Sequence, residues 1–308
     1  MDTRFDSIVI GAGMGGMCAA ARLTAAGRKV LVIEKSAHLG GRCSSREREG
    51  CTVTTGAIMI PIAKQSAIRE AFDLLDAPMD MIELTGRMRY RLPHGDYDQA
   101  TSGGGLHGLI AFVFRDDEDG AQRLFDDFIA AIKEIPGDEL TFRDWLDKHT
   151  GNDDVKKLFQ GFCAALMGTN MHEIPAGEFF RFLAYSSRGS RFGMAVNGNA
   201  GMMESLGSKI EERGSRILRH TNCREILVEN GTATGVSVKS KELGEVDYEC
   251  DTVLSNLGPE RTIALAGGRD SFDTDYLAEL DAWPHEAPIF HISFVTDEPL
   301  IEGFDGCM

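Results

Sequence analysis

The sequence lacks any long apolar run. Nowhere does it contain the roughly 18 or more consecutive apolar residues that a membrane-spanning helix needs. The N-terminus, MDTRFDSIVIGAG, is charged at once and enters a predicted strand, so it does not have the positively charged start and apolar core of a secretory signal. We therefore expect a cytoplasmic protein. Peripheral contact with a membrane through a few apolar side chains stays open.

Closely spaced cysteines are also missing. The seven cysteines are an odd number, lie far apart and form no C-x-x-C motif of the kind that holds a metal or works as a redox dithiol. We therefore expect reduced thiols and no bound metal.

The sequence contains fewer basic than acidic residues. The chain has 32 Lys and Arg against 48 Asp and Glu, a formal net charge of −16, which would repel a phosphate backbone. We therefore expect no nucleic-acid partner. With 308 residues, of which 43% are hydrophobic and 26% charged, the chain has the composition of a globular protein with one large core or two smaller ones. The composition carries no signal for oligomeric state.

What the sequence does contain is a glycine cluster between a predicted strand and a predicted helix. Hydrophobic patterning predicts a strand, a helix and a second strand at Phe5 to Ile10, Met14 to Ala26 and Lys29 to Glu34. The turn between the first two fits the G-x-G-x-x-G fingerprint and reads Gly11-Ala12-Gly13-Met14-Gly15-Gly16. Gly11 permits the tight turn, Gly13 lets the backbone approach a pyrophosphate, and Gly16 lets helix and strand touch. Free N–H groups of the helix start would face the phosphates.

A carboxylate lies where the ribose of a dinucleotide would need it. Glu34 ends the second strand, about 20 residues beyond the turn, and can accept hydrogen bonds from both ribose hydroxyls. The same carboxylate would repel a 2′-phosphate, which disfavours NADP, whereas NAD and FAD both satisfy the motif. Gly40-Gly41-Arg42 can bring backbone and a guanidinium against the diphosphate of a long cofactor.

These pieces resemble the N-terminal signature of the phytoene desaturase and amine oxidase superfamily of FAD enzymes. The similar segments are Ser7 to Gly16, Ala19 to Leu23, Val30 to Lys35 and Gly40 to Arg42. Later segments, at 201–210, 221–228, 231–236 and 251–262, resemble the stretch that returns the chain to the FAD domain in the phytoene desaturase branch. The resemblance covers about residues 4–60 and 195–296.

The resemblance implies a discontinuous α/β architecture. A Rossmann-like FAD-binding domain, with the βαβ unit and the glycine turn, is expected at residues 1–65 and 195–308, with an inserted α+β substrate domain at 66–194. The group has an acidic residue before its ring-facing glycine, where this chain has Thr54 and Thr55. The group also carries a second FAD-contacting segment near its C-terminus, and none follows Asn256 here. We therefore expect a truncated chain or a fragment.

The resemblance also implies roles for individual residues. Ala12 to Gly16 would lie under the pyrophosphate, Glu34 and Lys35 at the adenosine ribose, and Gly40, Gly41 and Arg42 along the diphosphate. The ribityl chain and the flavin ring would be approached by Thr55, Gly56, Ala57 and Ile58, and the adenine by the backbone of Cys223. No catalytic residue is identified.

Local signals predict several further elements. They are hairpin-like pieces from Met81 to Leu92 broken at Gly86, a capping box from Thr141 to Asp144, a helix at about Met202 to Arg213, an Asn230-Gly231 hairpin turn, an apolar strand from Asp251 and a helix starting at Pro259.

The implied reaction is hydride transfer from an activated C–H bond to the flavin. The resemblance thus favours an FAD-dependent oxidoreductase that desaturates or isomerises a small hydrophobic substrate of isoprenoid, carotenoid or polycyclic type. The middle of the chain offers apolar residues for such a pocket, although their helical spacing is more typical of core: Ile110, Phe112, Phe114, Phe159, Phe162, Leu166, Met167, Phe179, Phe180 and Phe182.

Three alternatives stay open, one of which is an NAD dehydrogenase that uses the same glycine turn. Amine oxidases of the superfamily hold a lysine at the flavin edge, whereas the last lysine here is Lys241, and His291 or Ser293 lies where one would be sought. A flavin-binding scaffold without turnover is the alternative from another class.

Overall fold

The computed structural model describes residues 2–86, 88–102, 104–186, 191–283, 292–298 and 306–307. The chain divides into two compact units. The first unit combines Met1–Glu83 with Arg191–His285, the second unit centres on Leu84–Ser190, and short C-terminal pieces are divided between them. The assignment of a cofactor and a substrate role to 1–65 with 195–308 and to 66–194 stays a prediction.

Helices and strands follow one another closely along the chain. Up to Glu83 they are β1 (Arg4–Ile10), α1 (Met14–Ala25), β2 (Val30–Ile33), β3 (Ser45–Arg48), β4 (Cys51–Thr54), β5 (Ile60–Pro61), α2 (Ala67–Leu74) and β6 (Met81–Glu83). The middle holds β7 (Met88–Leu92), β8 (Gly95–Asp98), α3 (Gln99–Ser102), α4 (Gly105–Phe114), α5 (Glu118–Lys133), α6 (Phe142–His149), α7 (Asp153–Phe162), a π-helical turn (Cys163–Met167) and α8 (Ala176–Ser186). Then come β9 (Phe192–Ala195), α9 (Gly198–Glu212), β10 (Arg216–Leu218), β11 (Thr221–Glu229), β12 (Thr232–Ser240), β13 (Gly244–Ser255), α10 (Pro259–Leu265), a 3-10 turn (Arg269–Ser271), α11 (Thr274–Ala282) and β14 (Gly306–Cys307).

A six-stranded sheet organises the first unit, with the strand order β10-β2-β1-β13-β12-β11. The pairs β10–β2, β2–β1 and β1–β13 are parallel, and β13–β12 and β12–β11 are antiparallel. All four residues of β2 are buried, as expected for a parallel strand that is covered on both faces. This confirms the predicted α/β fold with a Rossmann-like parallel sheet.

The side chains of the parallel strands alternate between two cores. Val9, Val30 and Val32 pack with helices α1, α2 and α9. Ile8, Ile10, Leu31 and Ile33 pack with residues of the β11–β12–β13 meander, among them Val236, Val238 and Tyr248. The period of two along each strand thus divides its apolar residues between a helix-covered face and a face covered by the meander.

The second unit is built around a cluster of aromatic side chains. The ring of Phe128 on α5 lies 5.2 Å from Trp145, 5.0 Å from Phe159 and 5.4 Å from Phe180, measured between ring centroids. The predicted capping box at the start of α6 is present, with Thr141 Oγ1 accepting a hydrogen bond from the Asp144 backbone N–H at 3.1 Å.

The predicted hairpin-like pairing between Met81 and Leu92 is wrong. β6 pairs with β9 in the first unit, and β7 pairs with β8 in the second unit, so the two strands on either side of Gly86 belong to different sheets. The expectation that the middle apolar residues are mostly core agrees with the packing. Ile110, Phe159, Phe179 and Phe180 are fully or almost fully buried, and Phe112, Phe114, Phe162 and Met167 pack against them.

Candidate functional site

Three strand ends meet at one edge of the six-stranded sheet. Ile10 at the end of β1 is paired with Ile33 of β2 on one side and with Ser255 of β13 on the other. The residues that follow, namely Gly11, Glu34 and Asn256, therefore leave the sheet side by side. This is the carboxyl edge of a parallel sheet, where ligands of such folds bind.

The glycine turn is tightly packed at its two ends. Gly11 has φ +92°, a conformation that glycine adopts without strain. A Cβ at Gly16 would overlap the carbonyl oxygen of Gly11, so the helix can approach β1 this closely only without a side chain at 16. Gly13 is the N-cap of α1 and offers no side chain to the free N–H groups of the first turn, which also contains no acidic residue. Those N–H groups and the helix dipole can bind an anion.

The Gly40–Gly41 loop lies directly against this turn. The Gly40 N–H donates to the Ala12 carbonyl oxygen at 2.7 Å, and a Cβ at Gly41 would be 3.3 Å from Gly13 Cα. The structure thus brings together Ala12, Gly13, Gly40 and Gly41, four of the residues that sequence analysis assigned to the diphosphate.

Glu34 is buried beside the turn and is held by two backbone donors. Its Oε2 accepts from the Ala12 N–H at 2.9 Å, and its Oε1 accepts from the Ser36 N–H at 2.8 Å. A carboxylate has about four acceptor positions, so each oxygen keeps one for a further donor. This arrangement is suited to a pair of neighbouring hydroxyl groups.

The next predicted segment is tied to the backbone of Arg42. The Ala57 N–H donates to the Arg42 carbonyl oxygen at 3.0 Å, and a Cβ at Gly56 would overlap that same oxygen. The Thr55 N–H donates to the Ser44 carbonyl oxygen at 3.0 Å. Ile58 is 43% exposed although it is apolar. A continuous stretch of backbone contacts therefore runs from the glycine turn, through Gly41 and Arg42, to Thr55–Ile58.

Sequence analysis missed Asn199, which holds this segment from the start of α9. Its Nδ2 donates to the Ala57 carbonyl oxygen at 2.6 Å, and the residue is only 1% exposed. Its Oδ1 is buried and has no hydrogen-bond partner. Beside it, the Ala200 N–H donates to Ser45 Oγ at 3.1 Å. The only sequence signal for this role was an asparagine between two glycines, Gly198 and Gly201, just before an apolar helix.

The predicted adenine contact lies near Glu34. The Thr221 N–H at the start of β11 donates to the Glu34 carbonyl oxygen at 2.9 Å, which places Cys223 two residues further along that strand. Cys223 is buried, and burial raises the pKa of its thiol to about 11, so it stays protonated near neutral pH. The exposed Lys35 lines a cleft of about 630 Å³ together with Arg219, His220 and Thr221.

Other features bear on the remaining expectations. His291 lies outside the described residues, and Ser293 is exposed. Among the residues that the structure describes, no cluster of His, Cys, Asp and Glu has the makings of a metal site. Within the same residues, every helix is too short or too polar to cross a lipid bilayer.

The six-stranded sheet and its glycine turn define a Rossmann-like α/β fold. In agreement, residues 9–75 match the family described as NAD(P)-binding Rossmann-like domain. The homologues of the chain are carotenoid desaturases and isomerases and flavin amine oxidases.

Two relatives illustrate the range of these homologues. Chloroplastic prolycopene isomerase of Daucus carota is 24% identical over 272 residues, which cover 75% of this chain and 43% of the relative. The protein named "Probable flavin-containing monoamine oxidase A" of Dictyostelium discoideum is 22% identical over 256 residues, 75% of this chain and 56% of the relative. The chain spans about half the length of the curated relatives that it matches.

A solved structure shows the same fold. An oxidoreductase from Methanosarcina mazei superimposes with a TM-score of 0.74 at 22% identity, covering 89% of this chain and 63% of that one. A mutant of putrescine oxidase also superimposes, with a TM-score of 0.64 at 16% identity, covering 86% of this chain and 60% of that one.

Proposed function

We propose that the chain binds FAD and forms part of an FAD-dependent oxidoreductase that acts on a C–H bond of a small hydrophobic substrate. The observation that carries the proposal is Glu34 beside the glycine turn, with one acceptor position left on each carboxylate oxygen. The amino end of α1 would bind the diphosphate, and Glu34 would bind the two hydroxyls of the adenosine ribose.

The choice of FAD over NAD is supported by the backbone that continues beyond the turn. Gly41 lies on Gly13, and Ala57 is hydrogen-bonded to Arg42, so a ligand extending past its diphosphate would meet Arg42 and then Thr55–Ile58. Asn199 fixes the Ala57 carbonyl and adds an acceptor that lacks a donor. Asn199 would thus hold the Thr55–Ile58 segment in place, and its own side chain is buried.

Bound flavin supplies a two-electron acceptor for a hydride. The residues described above bind and orient it, and they do not themselves carry protons in the reaction. Carotenoid-modifying relatives favour an isoprenoid-like substrate. The similarity to a monoamine oxidase favours amine oxidation as the second candidate.

The binding proposal is tested by reconstituting the purified chain with FAD and measuring the dissociation constant for wild type, Glu34→Gln and Glu229→Gln. Hydrogen bonds to a charged group are worth about 1.5–3 kcal/mol each, so the Glu34 variant should bind at least roughly tenfold more weakly. Glu229 is an exposed residue at the end of β11, so its variant should bind as wild type does. A colourless wild-type protein that takes up no FAD, or takes up NAD instead, would refute the proposal.

The reaction is tested under anaerobic conditions with the FAD-loaded chain. Bleaching of the flavin by polyenes or other isoprenoids supports the desaturase-like reaction, and bleaching by an amine such as putrescine supports the second candidate. Stable FAD binding without bleaching by any donor would favour a non-catalytic flavin-binding scaffold.

A further inference from the structure

Asn256, the residue that follows β13, has its side chain folded over the glycine turn. A Cβ at Gly13 would be 2.6 Å from Asn256 Nδ2, and a Cβ at Gly15 would be 2.9 Å from Asn256 Oδ1. A Cβ at Gly16 would be 3.2 Å from Asn256 Cβ. The space that glycine leaves open at 13 and 15 is therefore shared with this amide, and a ligand over the turn would touch it.

The position of Asn256 is set by the sheet. Its backbone N–H donates to the Ile10 carbonyl oxygen at 2.8 Å, which extends the β1–β13 pairing by one residue. Gly258, with φ +86°, then turns the chain into α10 at Pro259. The backbone of Asn256 thus continues the pairing of the strand, and its side chain is exposed.

The side-chain amide of Asn256 has no hydrogen-bond partner in the part of the chain that the structure describes. It lies beside the amino end of α1, where the N-cap side chain is missing and the first turn has no acid. An amide in this place can turn its oxygen toward the helix N–H groups or its NH₂ toward an anion. A carboxylate of the same shape could only do the former, and it would repel the anion.

We propose that Asn256 is a diphosphate-binding residue, which donates its side-chain N–H to the cofactor over the glycine turn. This role rests on the proposed function. If Asn256 has this role, the residue that follows β13 contacts the cofactor directly, in addition to the contacts made by the N-terminal βαβ unit. The side chain at position 256 must then be uncharged for tight binding.

The test measures FAD affinity and the thermal unfolding of the apoprotein for wild type, Asn256→Ala, Asn256→Asp and Asn230→Asp. Asn230 lies in the exposed β11–β12 turn with φ +50°, which aspartate also tolerates, so it controls for the added charge. Loss of a donor to a charged group should weaken FAD binding roughly tenfold in Asn256→Ala. Asn256→Asp should weaken it on the order of a hundredfold at low salt, because repulsion is added, and part of the loss should disappear as salt is raised.

The stability measurement separates binding from folding. A carboxylate near the amino end of α1 is favourable, so the apoprotein of Asn256→Asp should unfold at the wild-type temperature or above it. Wild-type FAD affinity in both Asn256 variants would overturn the role of Asn256 and leave the proposed function standing. Failure of the wild-type chain to bind FAD would overturn both.

Discussion

Replacing Gly16 and Gly15 separately by alanine should have opposite effects on stability. At Gly16 the new Cβ would meet the backbone oxygen of Gly11, which can move only if α1 and β1 separate. Such overpacking costs about 1–3 kcal/mol, more than the 0.5–1 kcal/mol or so that alanine contributes in a helix. At Gly15 the Cβ would meet only the tip of the exposed Asn256 side chain, at 2.9 Å. That tip can turn away, so Gly15→Ala should be neutral or slightly stabilising.

The comparison is made by thermal and urea unfolding followed by circular dichroism. A difference of about 2–3 kcal/mol between the two variants corresponds to roughly 5–10 °C in Tm for a unit of this size. Equal midpoints for the two variants would refute the packing argument. A large loss of stability in Gly15→Ala would show that the Asn256 side chain cannot move.

Further predictions follow from the second unit, from α9 and from the cysteines. Thr141→Ala should lower the unfolding free energy of the second unit by about 1 kcal/mol in urea titrations, because the N-cap hydroxyl of α6 is lost. Asn199→Ala should lower stability by about 1–3 kcal/mol and weaken FAD binding, since a buried carbonyl loses its donor. A thiol reagent at mildly alkaline pH should modify the exposed Cys51 well before Cys163, because burial raises the pKa of the Cys163 thiol to about 12. For the same reason the Cys163 thiol should lower the unfolding free energy as the pH rises from 9.0 towards 12, with a contribution of at most about 1.4 kcal/mol per pH unit, since this thiol ionises first in the unfolded chain.

Matched variants control these measurements. Thr141→Ser keeps a hydroxyl and should retain most of the cap. Asn197→Ala is the control for Asn199→Ala, because Asn197 is exposed and makes no capping hydrogen bond. Cys163→Ala should flatten the alkaline loss of stability, whereas Cys51→Ala should not. A wild-type slope in Cys163→Ala would contradict the assignment of that loss to the buried thiol.

Local signals predicted those parts of the fold that depend on neighbouring residues. The glycine turn, the capping box at Thr141, the hairpin at Asn230-Gly231 and the helix that begins at Pro259 are all as predicted. In each case one or two residues determine the backbone conformation through a positive φ, a fixed φ or a side-chain cap. The glycine turn and Glu34 could be assigned to one candidate site because β1, α1 and β2 are consecutive in the sequence.

Local sequence signals could not predict which strands pair when the strands are far apart in the chain. The segment around Gly86 has the pattern of a hairpin, yet β6 finds its partner in β9, more than a hundred residues later. α9 begins at Gly198 and not near Met202, because Gly198 has φ +68° and packs on Ser45, a contact that no local pattern contains. Sequence analysis gave no site role to Asn199 or Asn256 for the same reason, since each contacts a segment that is distant in the sequence.

The parallel register of β1, β2 and β13 has a consequence for biosynthesis. Gly11 and Glu34 leave the ribosome early, whereas Asn256 and the strand that precedes it follow only after residues 84–190, the main part of the second unit, have been made. The aromatic cluster of that unit draws only on residues 88–183, all of which precede β13 in the chain. The second unit can thus begin to fold during translation, before β13 has been made. The carboxyl edge of the sheet, which needs β13 beside β1, is therefore completed late in synthesis.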